Sequence, residues 1–121
     1  MKTIQFVETT LRDGHQSLWA TRMKTAHMLP IAPLLDQAGF KSIELMGTVH
    51  FDACLRYLRE DPWERIRLLH KAMPNTPLSA LIRSKSLTSF NIVPDSIIEL
   101  WVQRCAANGI RRLMIFDALH D

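Results

Sequence analysis

Hydrophobic positions along the chain follow two alternating periods. Ile4-Gln5-Phe6-Val7-Glu8 packs β-branched and aromatic residues too densely for clean alternation, the mark of a short buried strand. The polar stretch 9–22 that follows is longer than a simple turn needs, which predicts a working loop. Over 24–38 the apolar spacing is helical, with Gly39 as its stop. Pro30 and Pro33 inside that span predict a late start or a kink. Ser42-Ile43-Glu44-Leu45-Met46 reads as a second strand, 47–50 as a loop and 51–59 as a short helix. Asp61-Pro62-Trp63-Glu64 opens the next helix: Asp61 suits the N-cap, Pro62 the first helical position, and Glu64 a capping box. That helix carries Ile66, Leu69 and Met73 on one face and ends before Pro74. A third strand is predicted at 78–82, a polar loop at 83–91, and a helix from Pro94-Asp95 to about Asn108. Ile97, Ile98, Trp101, Val102 and Cys105 form its core stripe, Gly109 stops it, and 113–116 reads as a fourth strand.

Strands alternating with helices imply parallel pairing and an α/β layered fold. Two architectures satisfy the pattern: a small doubly wound sheet, or the first half of a (β/α)8 barrel. In both, the loops leaving the C-terminal ends of the strands carry the site. A complete barrel takes about 250 residues, so a chain of 121 supplies about half of one. A half-barrel has open edges that call for a completing segment or self-association.

Composition narrows the function classes. Hydrophobic residues make up 47% and charged residues 22%, which excludes a disordered chain. The net charge of +3 is mild, and acids and bases interleave in Arg56-Tyr57-Leu58-Arg59-Glu60-Asp61, so no basic stripe for nucleic acid is present. No apolar run approaches the roughly 20 residues that span a bilayer, and the N-terminus lacks a secretory apolar stretch, so a cytoplasmic protein without membrane insertion is expected. Cys54 and Cys105 have no metal-ligand spacing and are expected to be buried free thiols.

The chemistry concentrates in Glu8-Thr9-Thr10-Leu11-Arg12-Asp13-Gly14-His15-Gln16-Ser17, directly after the first strand. Ten residues hold carboxylates, a guanidinium, an imidazole, an amide and hydroxyls. A carboxylate there has the chemistry of a cation ligand, and a neighbouring arginine presents a fork of donors suited to a carboxylate or an enolate oxygen.

The segment Thr9–Ser17 resembles the opening motif of the carboxyltransferase domain of biotin-dependent enzymes, the group of pyruvate carboxylase, the oxaloacetate decarboxylase alpha subunit and transcarboxylase. The similarity continues in Phe51-Asp52-Ala53-Cys54-Leu55-Arg56-Tyr57-Leu58, Asp61-Pro62-Trp63-Glu64-Arg65, Ala72-Met73-Pro74-Asn75-Thr76-Pro77, Arg83 and Phe116-Asp117-Ala118-Leu119. Thr-Leu-Arg-Asp alone marks a wider metal-dependent barrel superfamily. His15-Gln16-Ser17 together with Asp61-Pro62-Trp63-Glu64-Arg65 points to the carboxyltransferases.

The resemblance implies an α/β fold, the N-terminal half of a (β/α)8 TIM barrel with four parallel strands and outer helices. It implies a metal-ligating role for Asp13, roles on a keto acid or its enolate for Arg12 and Gln16, and substrate contacts for Asp52, Arg83 and the position of Phe90. It implies a divalent ion (zinc, manganese or cobalt), carboxybiotin carried by a partner domain, and a keto acid such as pyruvate or oxaloacetate. His15 is expected to pack rather than to react. Met46-Gly47-Thr48-Val49-His50 stands where the family pattern reads Trp-Gly-Gly-Ala-Thr, and Phe90 stands where it reads tyrosine. A substrate bond to that hydroxyl would be lost, at about 1 kcal/mol. The family's catalytic lysine and His-x-His ligands are implied to lie further along a barrel. No His-x-His occurs in this sequence, so the 121 residues alone are expected not to turn over. Two other readings fit the motif less fully: an aldol-type lyase or acyl-CoA-dependent synthase of the same superfamily, and a non-catalytic interaction module.

Overall fold

The computed structural model describes residues 2–88 and 91–117. Four strands form one sheet: β1 (Val7–Glu8), β2 (Ser42–Gly47), β3 (Leu78–Ile82) and β4 (Ile110–Ile115). Every neighbouring pair is parallel, and the spatial order is β1-β2-β3-β4. That order decides between the two architectures. Parallel crossovers are right-handed, so steps that always move the same way put every connecting helix on one face. A doubly wound sheet reverses direction and covers both faces. The chain therefore has the winding of a barrel, with its helices outside.

The helices are α1 (His15–Trp19), α2 (Thr25–Met28), α3 (Ala32–Gln37), α4 (Thr48–Ala53), α5 (Pro62–Ala72) and α6 (Asp95–Asn108). A wide π-helical turn at Thr10–Gly14 leads into α1, and another at Cys54–Leu58 prolongs α4. Helix α5 starts as its sequence dictates: the Asp61 carboxylate accepts the Trp63 amide at 2.8 Å, one residue after Pro62.

Several boundaries differ from the periodicity. β1 is two residues long because β2 begins pairing only at Ser42; Ile4 and Phe6, upstream of it, are exposed. The 24–38 helix is two short helices, broken around Pro30, which has no N–H to give. Pro33 falls near the start of α3, where a proline is tolerated. The polar loop 9–22 contains the first π-turn and α1, and α4 begins at Thr48, inside the predicted 47–50 loop. β4 begins at Ile110 rather than 113; the exposed pair Arg111-Arg112 hides its first half from a hydrophobicity pattern.

The core lies between sheet and helices. Ile43, Leu78 and Ile110 stand in register across three strands, all buried, against Ile66 and Leu69 of α5 and Trp101 and Cys105 of α6. Phe51 packs edge-on to Trp63 at 4.6 Å and to Trp101 at 6.1 Å, so both tryptophans are core anchors. Cys54 and Cys105 are buried free thiols, and burial pushes them up to about 11 and about 12, which leaves them unreactive. Gly109, with φ +126°, must be glycine: a Cβ there would stand 2.7 Å from His70 Cγ. The adjacent register row is polar and joins Glu44, Ser79 and Arg112 across β2, β3 and β4. No helix among the described residues is long and apolar enough to cross a membrane.

Candidate active site

Of the residues singled out by sequence, Arg12, Asp13 and Gln16 follow the C-terminal end of β1 and Arg83 that of β3. After β1, the Glu8 carboxylate accepts the Thr10 amide at 2.8 Å. The amides of Arg12, Asp13 and Gly14 then all converge on the Thr9 carbonyl, at 3.2, 2.7 and 3.3 Å. This wide turn carries the Arg12 side chain to β2, where its Nε donates to Glu44 Oε1 at 2.6 Å. Glu44 is buried and the Arg12 side chain is 17% exposed. Such a pair costs desolvation and repays it only through short, well-aligned bonds. It is not closed: Glu44 Oε2 has no hydrogen-bond partner among the described residues, and Arg12 Nη2 donates to none.

Arg12 and Gln16 line a cavity of about 150 Å³ together with Arg83, which follows β3. Leu81, Val49 and Phe116 give it apolar walls, and Gly47 and Thr48 line it at the end of β2. The Arg83 guanidinium carbon stands 5.9 Å from the centre of the Phe116 ring. Next to it, Ser84 holds φ +39°, in a turn closed by the Ser86 amide on the Arg83 carbonyl at 2.9 Å. Such backbone persists only where surrounding structure fixes it, and it recurs at sites. The cavity is thus small, apolar-walled, and faced by two guanidiniums and an amide, a donor set for a small carboxylate with a second oxygen.

Beneath the loop two buried imidazoles stand edge to face, 4.8 Å between centroids. His15 donates Nδ1–H to the Leu11 carbonyl at 3.1 Å and accepts the Met23 amide on Nε2 at 2.8 Å. His50 accepts the Gly47 amide on Nδ1 at 3.0 Å and donates Nε2–H to the Arg12 carbonyl at 2.9 Å. The amide each ring accepts fixes its tautomer and its neutrality. Burial lowers both pKa values, and for His50, with the neighbouring His15 and nearby arginines adding to it, the value falls to about 3. His15 is a packing and bonding residue, as its sequence context suggests.

Other expected site residues lie outside the cavity wall. Asp13 sits on the turn, 59% exposed at the side chain, with Arg12 Nη1 3.3 Å from its carboxylate. Asp52 accepts from Arg56 Nε at 2.8 Å on the surface of α4. Phe90 lies outside the described residues. Among the described residues no three histidines, cysteines or carboxylates gather as metal ligands. A divalent ion of the zinc type takes four, so Asp13 by itself does not make a metal centre. Glu44 and His50 join the site without having stood out in the sequence. The signal for Glu44 was a lone carboxylate inside an otherwise apolar strand, which demands a buried partner. His50 falls three residues after the Gly47 cap, where a capping-box side chain would stand.

No protein-family model matches the chain. A pyruvate carboxylase subunit of Methanocaldococcus jannaschii is 52% identical over 118 residues, 98% of this chain and 21% of that protein. The 2-oxoglutarate carboxylase large subunit of Hydrogenobacter thermophilus is 41% identical over 120 residues, 99% of this chain and 18% of that protein. The carboxyl transferase domain from Rhizobium etli pyruvate carboxylase, in a structure with pyruvate and biocytin, superposes with a TM-score of 0.89 at 38% identity, covering 96% of this chain and 20% of that one. The chain spans about a fifth of the length of these relatives. With its parallel four-stranded winding and its strand-end arginines, it matches a fragment of the carboxyltransferase domain of biotin-dependent carboxylases, one segment of that domain's barrel.

Proposed function

We propose that this chain supplies the keto-acid side of a biotin-dependent carboxyltransferase site. The observation that supports this most is the convergence of Arg12, Gln16 and Arg83 on one small cavity from the ends of different strands. Arg83 binds the carboxylate of the acid. Arg12, held through Nε by Glu44, directs Nη2 at the carbonyl oxygen, where negative charge grows as the acid becomes an enolate. Gln16 donates its amide N–H to the same oxygen. Such donors stabilise the enolate because they are already aimed before it forms. Glu44 keeps Arg12 from swinging away, and the apolar walls Leu81, Val49 and Phe116 keep competing water out.

Carboxybiotin, brought by a carrier domain, would supply the carboxyl group to the enolate carbon, and biotin would leave carrying the proton that carbon had given up. Asp13 offers one carboxylate toward a zinc, manganese or cobalt ion whose other ligands would come from outside the described residues. Asp52, on the surface of α4, would meet the substrate only with a further part of the barrel in place; a substrate contact at the position of Phe90 remains part of the proposal. The cavity, below the roughly 300–1,000 Å³ of drug-sized sites, suits a small acid such as pyruvate or oxaloacetate. The test is carboxyl transfer to pyruvate and to 2-oxoglutarate by the enzyme that contains this chain. Arg83→Ala is expected to raise the KM of the accepted acid roughly 10- to 100-fold, the worth of charge-assisted bonds to its carboxylate. An unaltered KM contradicts the anchoring role, and no transfer to either acid contradicts the keto-acid reading.

A further inference from the structure

His50 is fully buried and is not among the residues lining the cavity, yet both its ring nitrogens are committed to the backbone of the site. Nδ1 accepts the amide of Gly47, and Nε2–H reaches 38 positions back to the carbonyl of Arg12. Gly47 and Arg12 both line the cavity. One rigid ring therefore ties the loop after β1 to the turn after β2. The His15 ring packs against its edge, and His15 is itself bonded to Leu11 and Met23.

The two bonds of His50 do different work. The bond from Gly47 satisfies an amide at the start of α4 and is local to that helix. The bond to the Arg12 carbonyl does nothing for α4. It fixes the backbone from which the Arg12 guanidinium reaches Glu44 and the cavity. We infer that His50 is a positioning residue for Arg12, setting its backbone in register with the Gly47 side of the cavity; this rests on the keto-acid role given above to Arg12.

Two substitutions separate the bonds. His50→Asn places an amide oxygen near the Nδ1 position, keeps an acceptor for Gly47 and loses the donor to Arg12. His50→Gln places an amide N–H near the Nε2 position, keeps a donor to Arg12 and loses the acceptor for Gly47. In the enzyme that contains this chain, His50→Asn is expected to lower the thermal midpoint no more than His50→Gln does, while kcat with the accepted keto acid falls roughly 100-fold, the usual consequence of a catalytic group displaced by about 1 Å. KM changes little, because Arg83 is untouched. His50→Gln is expected to lower the midpoint and to recover most of kcat. A merely structural histidine gives the opposite: loss of kcat would follow loss of stability. Wild-type kcat per folded His50→Asn enzyme, or a His50→Gln enzyme no faster than His50→Asn, overturns the proposal.

Amide hydrogen exchange provides a readout that does not depend on turnover. In His50→Asn the amides of Arg12, Asp13 and Gly14 are expected to exchange roughly tenfold faster, about the value of one hydrogen bond, with β3 amides unchanged. Unchanged exchange at those three amides also overturns it. If the wild-type enzyme transfers no carboxyl group to pyruvate or to 2-oxoglutarate, the keto-acid reading fails and the exchange experiment alone decides the role of His50.

Discussion

Among the described residues two arginine–glutamate pairs are sunk into the chain, and they differ in whether both carboxylate oxygens find a donor. In the outer layer Arg65, 1% exposed, donates Nη2 to Glu60 at 2.7 Å and to the Met23 carbonyl at 2.9 Å, and Nε to the Thr25 hydroxyl at 2.9 Å. Glu60 also takes the Thr25 amide and hydroxyl, so it caps the start of α2 from another element. Burial would raise the Glu60 pKa, but the bonds from Thr25 and Arg65 outweigh it and hold it below the usual value. At the strand ends the Arg12–Glu44 pair is as short, yet Glu44 Oε2 has no partner among the described residues, whereas both Glu60 oxygens accept bonds. A closed network is a staple. A buried carboxylate oxygen left without a donor carries a cost that the closed pair does not.

Breaking the closed pair gives the largest effect. Arg65→Ala strands the Glu60 carboxylate among the Thr25 donors and is expected to cost about 3–5 kcal/mol, roughly 10–20 °C in thermal midpoint. In the enzyme that contains this chain, carboxyl transfer per folded molecule is expected to stay the same. A midpoint shift of a degree or two would show that the network is not the staple described here.

Acid sharpens the comparison further, because the two regions respond in different ranges. The depressed pKa of buried His50 means that stability is fully present above 6.5, its ordinary value, and declines as pH falls toward about 3. By pH 5 the loss is about 2 kcal/mol, at about 1.4 kcal/mol per unit. The lowered pKa of His15 acts in the same direction. The lowered pKa of Glu60 takes effect only below its ordinary 4.5. Between pH 7 and 5, then, the urea midpoint of the wild type is expected to drop, and that of His50→Gln to drop less. A midpoint flat over that interval would contradict the assignment of buried neutral imidazoles.

Much of this was visible in the sequence. The alternation of periods announced the strands and helices, and Asp61-Pro62 fixed the start of α5. The stretch 8–17 held the Arg12 and Gln16 that now face the cavity, and Arg83 was legible at the end of the third strand. What stayed hidden depended on distance along the chain. Glu44 and Arg12 are 32 positions apart, and His50 and the Arg12 carbonyl 38; neither periodicity nor composition reports such pairings. Strand order was equally hidden, since alternating elements fit two windings until the register is known. Arg111-Arg112 concealed half of β4 because a strand with one open side tolerates polar residues there.

In the proposed function the fork of Arg12, held by Glu44, is aimed at the oxygen that gains charge. Arg12→Lys tests it most directly. Lysine keeps a positive charge opposite Glu44, so the chain still folds, but it has no planar fork to serve Glu44 and a ligand together. In the enzyme that contains this chain, kcat for carboxyl transfer to the accepted keto acid is expected to fall roughly tenfold, the loss of one charge-assisted bond made chiefly in the transition state, with KM nearly unchanged. Wild-type kcat in Arg12→Lys, or a change confined to KM, would show that the Arg12 fork does not serve that oxygen.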